Sequence, residues 1–251
     1  MDWIDELRVR RALRCSPHRE RLEHISPALR AAWQRNGPQE FPGMPTGRLF
    51  FHRALAGLVD FFDVSARRGQ PCALPSLAAD SVWHAWSAWD ADDLARFCRR
   101  HFGMPIVHLP QSALDRTALA QTLVGCRALE GRPAQGPGLP ALFGLDAGLR
   151  MPNGHGYWIE HGDIVYRRLD AAGRKAGPAS VHPDLALPAL FGAGLVSEMA
   201  YLALMKKYEA GSPAASQTGD GGVVIADGGG GNGCADGGGG GGGGCGGCGG
   251  D

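Results

Sequence analysis

The segment from Pro75 to Pro110 gathers most of the side chains in this chain that are able to do chemistry. Asp80 and His84 are separated by four positions, and Cys98 and His101 by three. On a helix each pair shares one face. His108 follows shortly after Gly103, a residue type that lets a chain turn back. A neutral imidazole, a carboxylate and a thiolate are each competent zinc ligands, so Asp80, His84, Cys98 and His108 form a candidate metal set, with zinc as the candidate ion. The same groups suit an Asp–His or Cys–His pair for proton transfer or nucleophilic attack. The competing reading is structural. Trp83, Trp86 and Trp89 surround His84 in sequence, and a histidine among tryptophans is often a core residue satisfied by one carboxylate. Cys98 beside Phe97 has the look of an ordinary buried thiol. The spacing is not a paired Cys-x-x-Cys signature, and that favours the structural reading.

Other candidates are weaker. Met151-Pro152-Asn153-Gly154-His155-Gly156 lacks the spacing and the following helix of a phosphate-cradling loop and reads as the approach to a hairpin. His155, His161 and His182 lie near that hairpin and are a further candidate cluster. His18 and His52 stand alone on helices, at the core edge or in solvent. Near the C-terminus, Cys245 and Cys248 have redox or soft-metal spacing. They sit in polyglycine, where ordering the chain around an ion opposes binding.

Composition narrows the field. Lys+Arg and Asp+Glu number 25 each, so the formal charge is zero. Nucleic-acid binding, which needs a basic face, is not expected. The arginines near the N-terminus alternate with acids and read as a solvated helix surface. No apolar run approaches the ~20 residues of a membrane span. The first residues carry acids where a signal peptide would be apolar, so a cytoplasmic address is the expectation. Cys15, Cys72, Cys98 and Cys126 are then expected as reduced thiols.

Periodicity supplies the elements. Apolar spacing predicts helices over 1–14 and from Glu20 to Gln34, the latter at risk of splitting at Ser26-Pro27. Gly37-Pro38 and Pro42-Gly43 predict a loop. A helix is expected from Arg48 to Ala66, with Thr46 as a candidate cap and Phe51, Leu55, Leu58 and Phe62 along its buried stripe. Ser76 opens a helix over 77–88, and Asp90 caps another over 91–101 that Gly103 stops. Residues 112–130 predict a helix capped by Ser112. Tyr157 to Tyr166 reads as a hairpin turning at His161-Gly162-Asp163, with a further turn at Ala171-Ala172-Gly173 leading to a third strand. A last helix is expected over 193–209, with Leu195, Met199, Leu202 and Met205 on one face. From Gly211 onward glycine dominates. Few side chains remain to bury there, and the backbone entropy cost is high, so a disordered tail is expected.

The pattern Pro75-Ser76, Asp80, Trp83-His84, Phe97-Cys98, Phe102-Gly103, His108 resembles the sequence block of bacterial glycine-rich domain-containing proteins, which are similar to plant glycine-rich domain proteins. The resemblance covers residues 75–110, and the Gly/Cys tail is a second point of likeness. Ala79 stands where the block usually has Val, and Leu94 where a tyrosine is frequent. The resemblance singles out Asp80, His84, Cys98 and His108 over His101 and implies no particular activity.

The expected architecture is α+β: a predominantly helical domain over 1–210, with a small β-hairpin region at 155–181, and a disordered Gly/Cys tail over 211–251. Three functions are compatible with it. The first is a binding or accessory module with a protein partner, in which the 75–110 block is core. The second is a metal-binding protein or metal-dependent hydrolase using Asp80, His84 and His108. The third is a tail that handles metal or is modified. Convergence of His84, Cys98 and His108 in a cleft would favour the second, and their burial among the tryptophans the first.

Overall fold

The computed structural model describes residues 3–14, 16–136 and 138–211. By internal contacts the chain divides into Met1–Glu209 and Ala210–Asp251. The tail, with Cys234, Cys245 and Cys248, lies outside the described residues, as does Cys15.

The fold is α+β and mostly helical. Helices α1 (Trp3–Arg14), α2 (Arg19–Glu23), α3 (Pro27–Glu40), α4 (Arg48–Arg68), α5 (Leu77–Phe102), α6 (Ala118–Leu129) and α7 (Leu145–Leu149) precede an antiparallel sheet of β1 (His155–Glu160), β2 (Asp163–Arg168) and β3 (Ser180–Val181). Helices α8 (Leu187–Gly192) and α9 (Glu198–Gly211) follow.

The core is built on α4. Its apolar residues recur at helical spacing, and Ala54, Leu58, Val59, Phe62 and Val64 are wholly buried. α5 and α6 pack against it. Gly125 of α6 permits the close approach, because a Cβ there would come within 2.5 Å of the Val64 side chain. α3 packs on α5, where the Trp33 indole donates to the Ser81 hydroxyl at 3.0 Å. Ser81 in turn donates to the Ala78 carbonyl, so neither buried polar group is left unsatisfied.

Ser76 caps α5 by accepting from the Ala79 N–H. Asp90 leaves the helical region at φ −159° and accepts from the Asp93 N–H at 2.8 Å. The two expected helices are therefore halves of one bent element, with Asp90 capping the second half. Gly103 ends it in the left-handed conformation at φ 78°.

Hairpin β1–β2 turns at His161 and Gly162, both at positive φ, in a two-residue connection that leaves Glu160 opposite Asp163. Gly173 makes the next turn and leads to β3, which pairs with β2. A side chain at Gly173 would collide with the Arg150 backbone.

Four expectations need correction. The loop expected at Gly37-Pro38 is helical, and α3 continues to Glu40. Burial of Trp33 and Gly37, the latter against Met44, outweighs the one backbone bond that Pro38 cannot make. The cap of α4 is Gly47, not Thr46. α6 begins at Ala118 rather than after Ser112, because the Asp115 carboxylate takes the Thr117 N–H and hydroxyl in a local turn that competes with helix. The last helix begins at Glu198 rather than at 193, after Gly194 at φ 67°, so Leu195 lies outside it, and Met199 and Leu202 are exposed.

Candidate metal centre

α5 delivers two of the side chains. Asp80 and His84 sit one turn apart, and the Asp80 Oδ1 lies 3.5 Å from the His84 Nε2. The third arrives on the extended segment after Gly103. That segment is held against the core by Ile106, which packs on the buried cluster that includes Cys98. His108 then meets the pair, its Nε2 2.8 Å from Asp80 Oδ1 and 3.2 Å from His84 Nε2. The His108 ring rests edge-on against Trp83, centroids 4.4 Å apart.

These separations suit a metal ion. A tetrahedral ion with bonds of ~2 Å spaces its ligand atoms about 3.3 Å apart. The donor set, two imidazole nitrogens and one carboxylate oxygen, is one that zinc accepts. The other nitrogen of His84, Nδ1, is hydrogen-bonded to the Glu40 carboxylate. As donor to Glu40, His84 keeps its proton on Nδ1 and turns the Nε2 lone pair toward Asp80 and His108. A carboxylate behind a ligating imidazole fixes its tautomer and raises its basicity.

The hydrogen bond to Asp80 is the largest influence on His108 and holds its imidazole above the ordinary range against the opposing effect of burial. The side chains of Asp80, His84 and His108 are 21%, 33% and 35% exposed, enough for an ion to reach them and for a ligand to approach it.

The three open onto a cleft of about 650 Å³. Across it, β1, β2 and the segment after β3 present His155, Tyr157, Tyr166 and His182. Tyr157 and Tyr166 are paired across the strands, ring centroids 5.0 Å apart. The Tyr166 hydroxyl lies 3.0 Å from His155 Nδ1. Burial lowers the pKa of both His155 and His182 and raises that of both tyrosines.

One buried carboxylate joins the two walls. Asp146 accepts from the Ser76 hydroxyl at 2.6 Å, from the Leu77 and Ala78 N–H groups at the start of α5, and from the His155 N–H at 2.8 Å. It therefore sets the N-terminus of the helix carrying Asp80 and His84 in register with the strand carrying His155.

The remaining sequence candidates lie elsewhere. Cys98 is fully buried, and desolvation pushes its thiol up to about 11. It belongs to the core cluster and does not join the three ligand atoms. His101 packs at a tilt against the rings of Phe97 and His24. Of the hairpin histidines, His155 and His182 enter the cleft, while His161 is spent on the turn. His18 is not solitary: it is buried, with Nε2 2.6 Å from Asp60 Oδ1. Sequence reasoning missed Glu40, Asp146 and Tyr166. Glu40 was hidden in an expected loop, and a lone Asp between glycines carries no periodic signal.

No curated protein and no solved structure matches the chain. Residues 50–173, the stretch that contains Asp80, His84, His108, Asp146 and the hairpin, match the model of a family described as UCP032817-like, and it is to this family that the chain is similar.

Proposed function

We propose that this protein is a metal-dependent binding protein or hydrolase whose ion, zinc in the first instance, is held by Asp80, His84 and His108. The mutual separations of 2.8, 3.2 and 3.5 Å among the three ligand atoms carry this reading. Three protein ligands leave a fourth position open, as in catalytic rather than structural zinc sites. That position faces a cleft of about 650 Å³, a volume in the range of small-molecule sites. There a bound ion supplies Lewis acidity and lowers the pKa of a coordinated water. The chain's own part is to fix three ligand atoms, to orient His84 through Glu40, and to shape the cleft.

A module in which the 75–110 block is wholly core accounts less well for these positions. Trp83 and Cys98 are core, but Asp80, His84 and His108 are only partly buried and share one point. The resemblance to glycine-rich domain proteins and the likeness to the UCP032817-like family add no activity to this reading. Protein partners and a metal-handling tail remain separate proposals with no further support from the described residues.

The test is metal content. Full-length protein with Cys234, Cys245 and Cys248 replaced by Ser, purified without chelators and then exposed to zinc, is expected to retain about one ion per chain. His84→Ala and His108→Ala are each expected to abolish retention. A protein that retains no ion, or whose ion survives both substitutions, contradicts the proposal.

A further inference from the structure

The wall opposite the proposed ion carries a polar group that packing does not require. Tyr157 and Tyr166 stand opposite each other on β1 and β2, and His182 meets Tyr166 edge-on at 5.4 Å. Tyr157 is buried. Tyr166 is half-buried and lines the same cleft as Asp80, His84 and His108. A phenylalanine would serve the ring contacts equally well. The hydroxyl is set apart by its neighbour, since His155 Nδ1 lies 3.0 Å from it. A phenol has one proton to give and two lone pairs to offer, so one such contact leaves capacity unused.

The placement of that pair is built into the fold. Asp146 holds the His155 backbone N–H with the same carboxylate that caps α5. The strand wall and the ligand-bearing helix are therefore fixed to one buried anchor. His155 is also close enough to Asp80 to feel its charge. Burial keeps the imidazole neutral and the phenol protonated. In the tautomer that carries its proton on Nδ1, a neutral His155 donates to the Tyr166 oxygen and frees the phenolic O–H for a ligand in the cleft; in the other tautomer the phenol donates to Nδ1.

Resting on the metal reading above, we infer that Tyr166 is a ligand-binding residue. Its hydroxyl donates a hydrogen bond to one oxygen of a small carboxylate, carbonyl or hydroxamate compound whose neighbouring oxygen sits on the ion. His155 is the positioning residue for that hydroxyl. The apolar body of such a ligand lies against Phe61, Leu74 and Leu119, which line the same space. This arrangement supplies a directed donor to the ligand oxygen beside the one that the ion holds, and so fixes the ligand's orientation.

Benzohydroxamate is the probe. It chelates a divalent ion through two oxygens and carries a flat apolar ring. The full-length chain with the three tail cysteines replaced by Ser is loaded with cobalt(II), whose visible spectrum reports its coordination, and titrated with benzohydroxamate. Tyr166→Phe is expected to bind cobalt as the parent does, with an unchanged spectrum, and to weaken benzohydroxamate by about tenfold, the loss of one hydrogen bond. His155→Leu is expected to leave cobalt binding intact and weaken the probe several-fold. It carries the test if Tyr166→Phe does not fold. Unchanged probe affinity in these variants overturns the inference and leaves the metal centre standing. Failure of the parent chain to bind cobalt overturns the metal reading and this inference with it.

Discussion

His84 and His108, 24 positions apart, bring their Nε2 atoms to 3.2 Å, and Asp80 Oδ1 closes the triangle. Two imidazoles and a carboxylate held this way need either a shared proton or a cation among them. In the first case His108, whose pKa Asp80 raises, carries the proton. A metal must displace it, so zinc occupancy is expected to fall as pH drops through the imidazole range, measured by equilibrium dialysis against a buffered zinc series. Occupancy that is flat between pH 5 and 8 would not fit ligation by two histidines.

Glu40 is expected to tune the centre without ligating. Glu40→Gln removes the carboxylate behind His84 Nδ1 and should weaken zinc about 10–100-fold, the usual penalty for losing such a partner. Competition with a chromophoric chelator measures this. The melting temperature of the metal-free protein should barely move, because the Glu40 side chain is 51% exposed. Unaltered zinc affinity would remove Glu40 from the centre.

Trp83 and His84 are neighbours with different roles. Trp83 is 3% exposed and packs on Phe61 and Phe62. Trp83→Ala is expected to cost roughly 3–5 kcal/mol in denaturant unfolding. His84→Ala, measured without metal, should cost about 1 kcal/mol or less, since the ring is partly exposed and its ion pair is with the half-exposed Glu40. Equal and severe losses would return the block to a purely structural role.

Asp146 is expected to be the most sensitive polar residue of the fold. Asp146→Ala strands the Ser76 hydroxyl and the Leu77, Ala78 and His155 N–H groups, at a cost of about 3 kcal/mol or more. Hydrogen exchange should show the first turn of α5 and the start of β1 opening together. Separate opening would mean that Asp146 does not couple the two walls.

Acid stability has a distinct origin at Asp63. Desolvation pushes its carboxyl up, but hydrogen bonds and charge from Arg67 and Arg21 more than offset this, and the net pKa is depressed. A group depressed in the folded state adds stability above its unfolded value, near 4, and loses it as pH falls through the folded value. Asp63→Asn should therefore lower the melting temperature at pH 7 and narrow the gap to the parent below about pH 3. A gap that stays constant with pH would contradict the ion-pair assignment.

The helical architecture was legible because α4 and α5 announce themselves by periodicity and by caps at Ser76, Asp90 and Gly103. The hairpin was legible from His161-Gly162. Asp80 and His84 could be paired from their spacing, and His108 could be suspected from the glycine turn before it. The chain's path between Gly103 and His108 was not legible, because it depends on the packing of Ile106 against a core assembled from several helices. Glu40 was missed for a similar reason: burial of Trp33 and Gly37 carries α3 past a proline that local rules read as a stop. Asp146 has no periodic signature. Its role exists only where α5, α7 and β1 meet.

One ion bound by Asp80, His84 and His108 would have a defined coordination shell. X-ray absorption at the zinc edge tests it most directly, on full-length protein with the three tail cysteines replaced by Ser. The expected first shell contains only nitrogen and oxygen at about 2.0–2.1 Å, with the outer-shell scattering of two imidazoles, and His108→Ala retains no zinc to give that spectrum. A sulfur shell at about 2.3 Å, or a spectrum unchanged by that substitution, would contradict it.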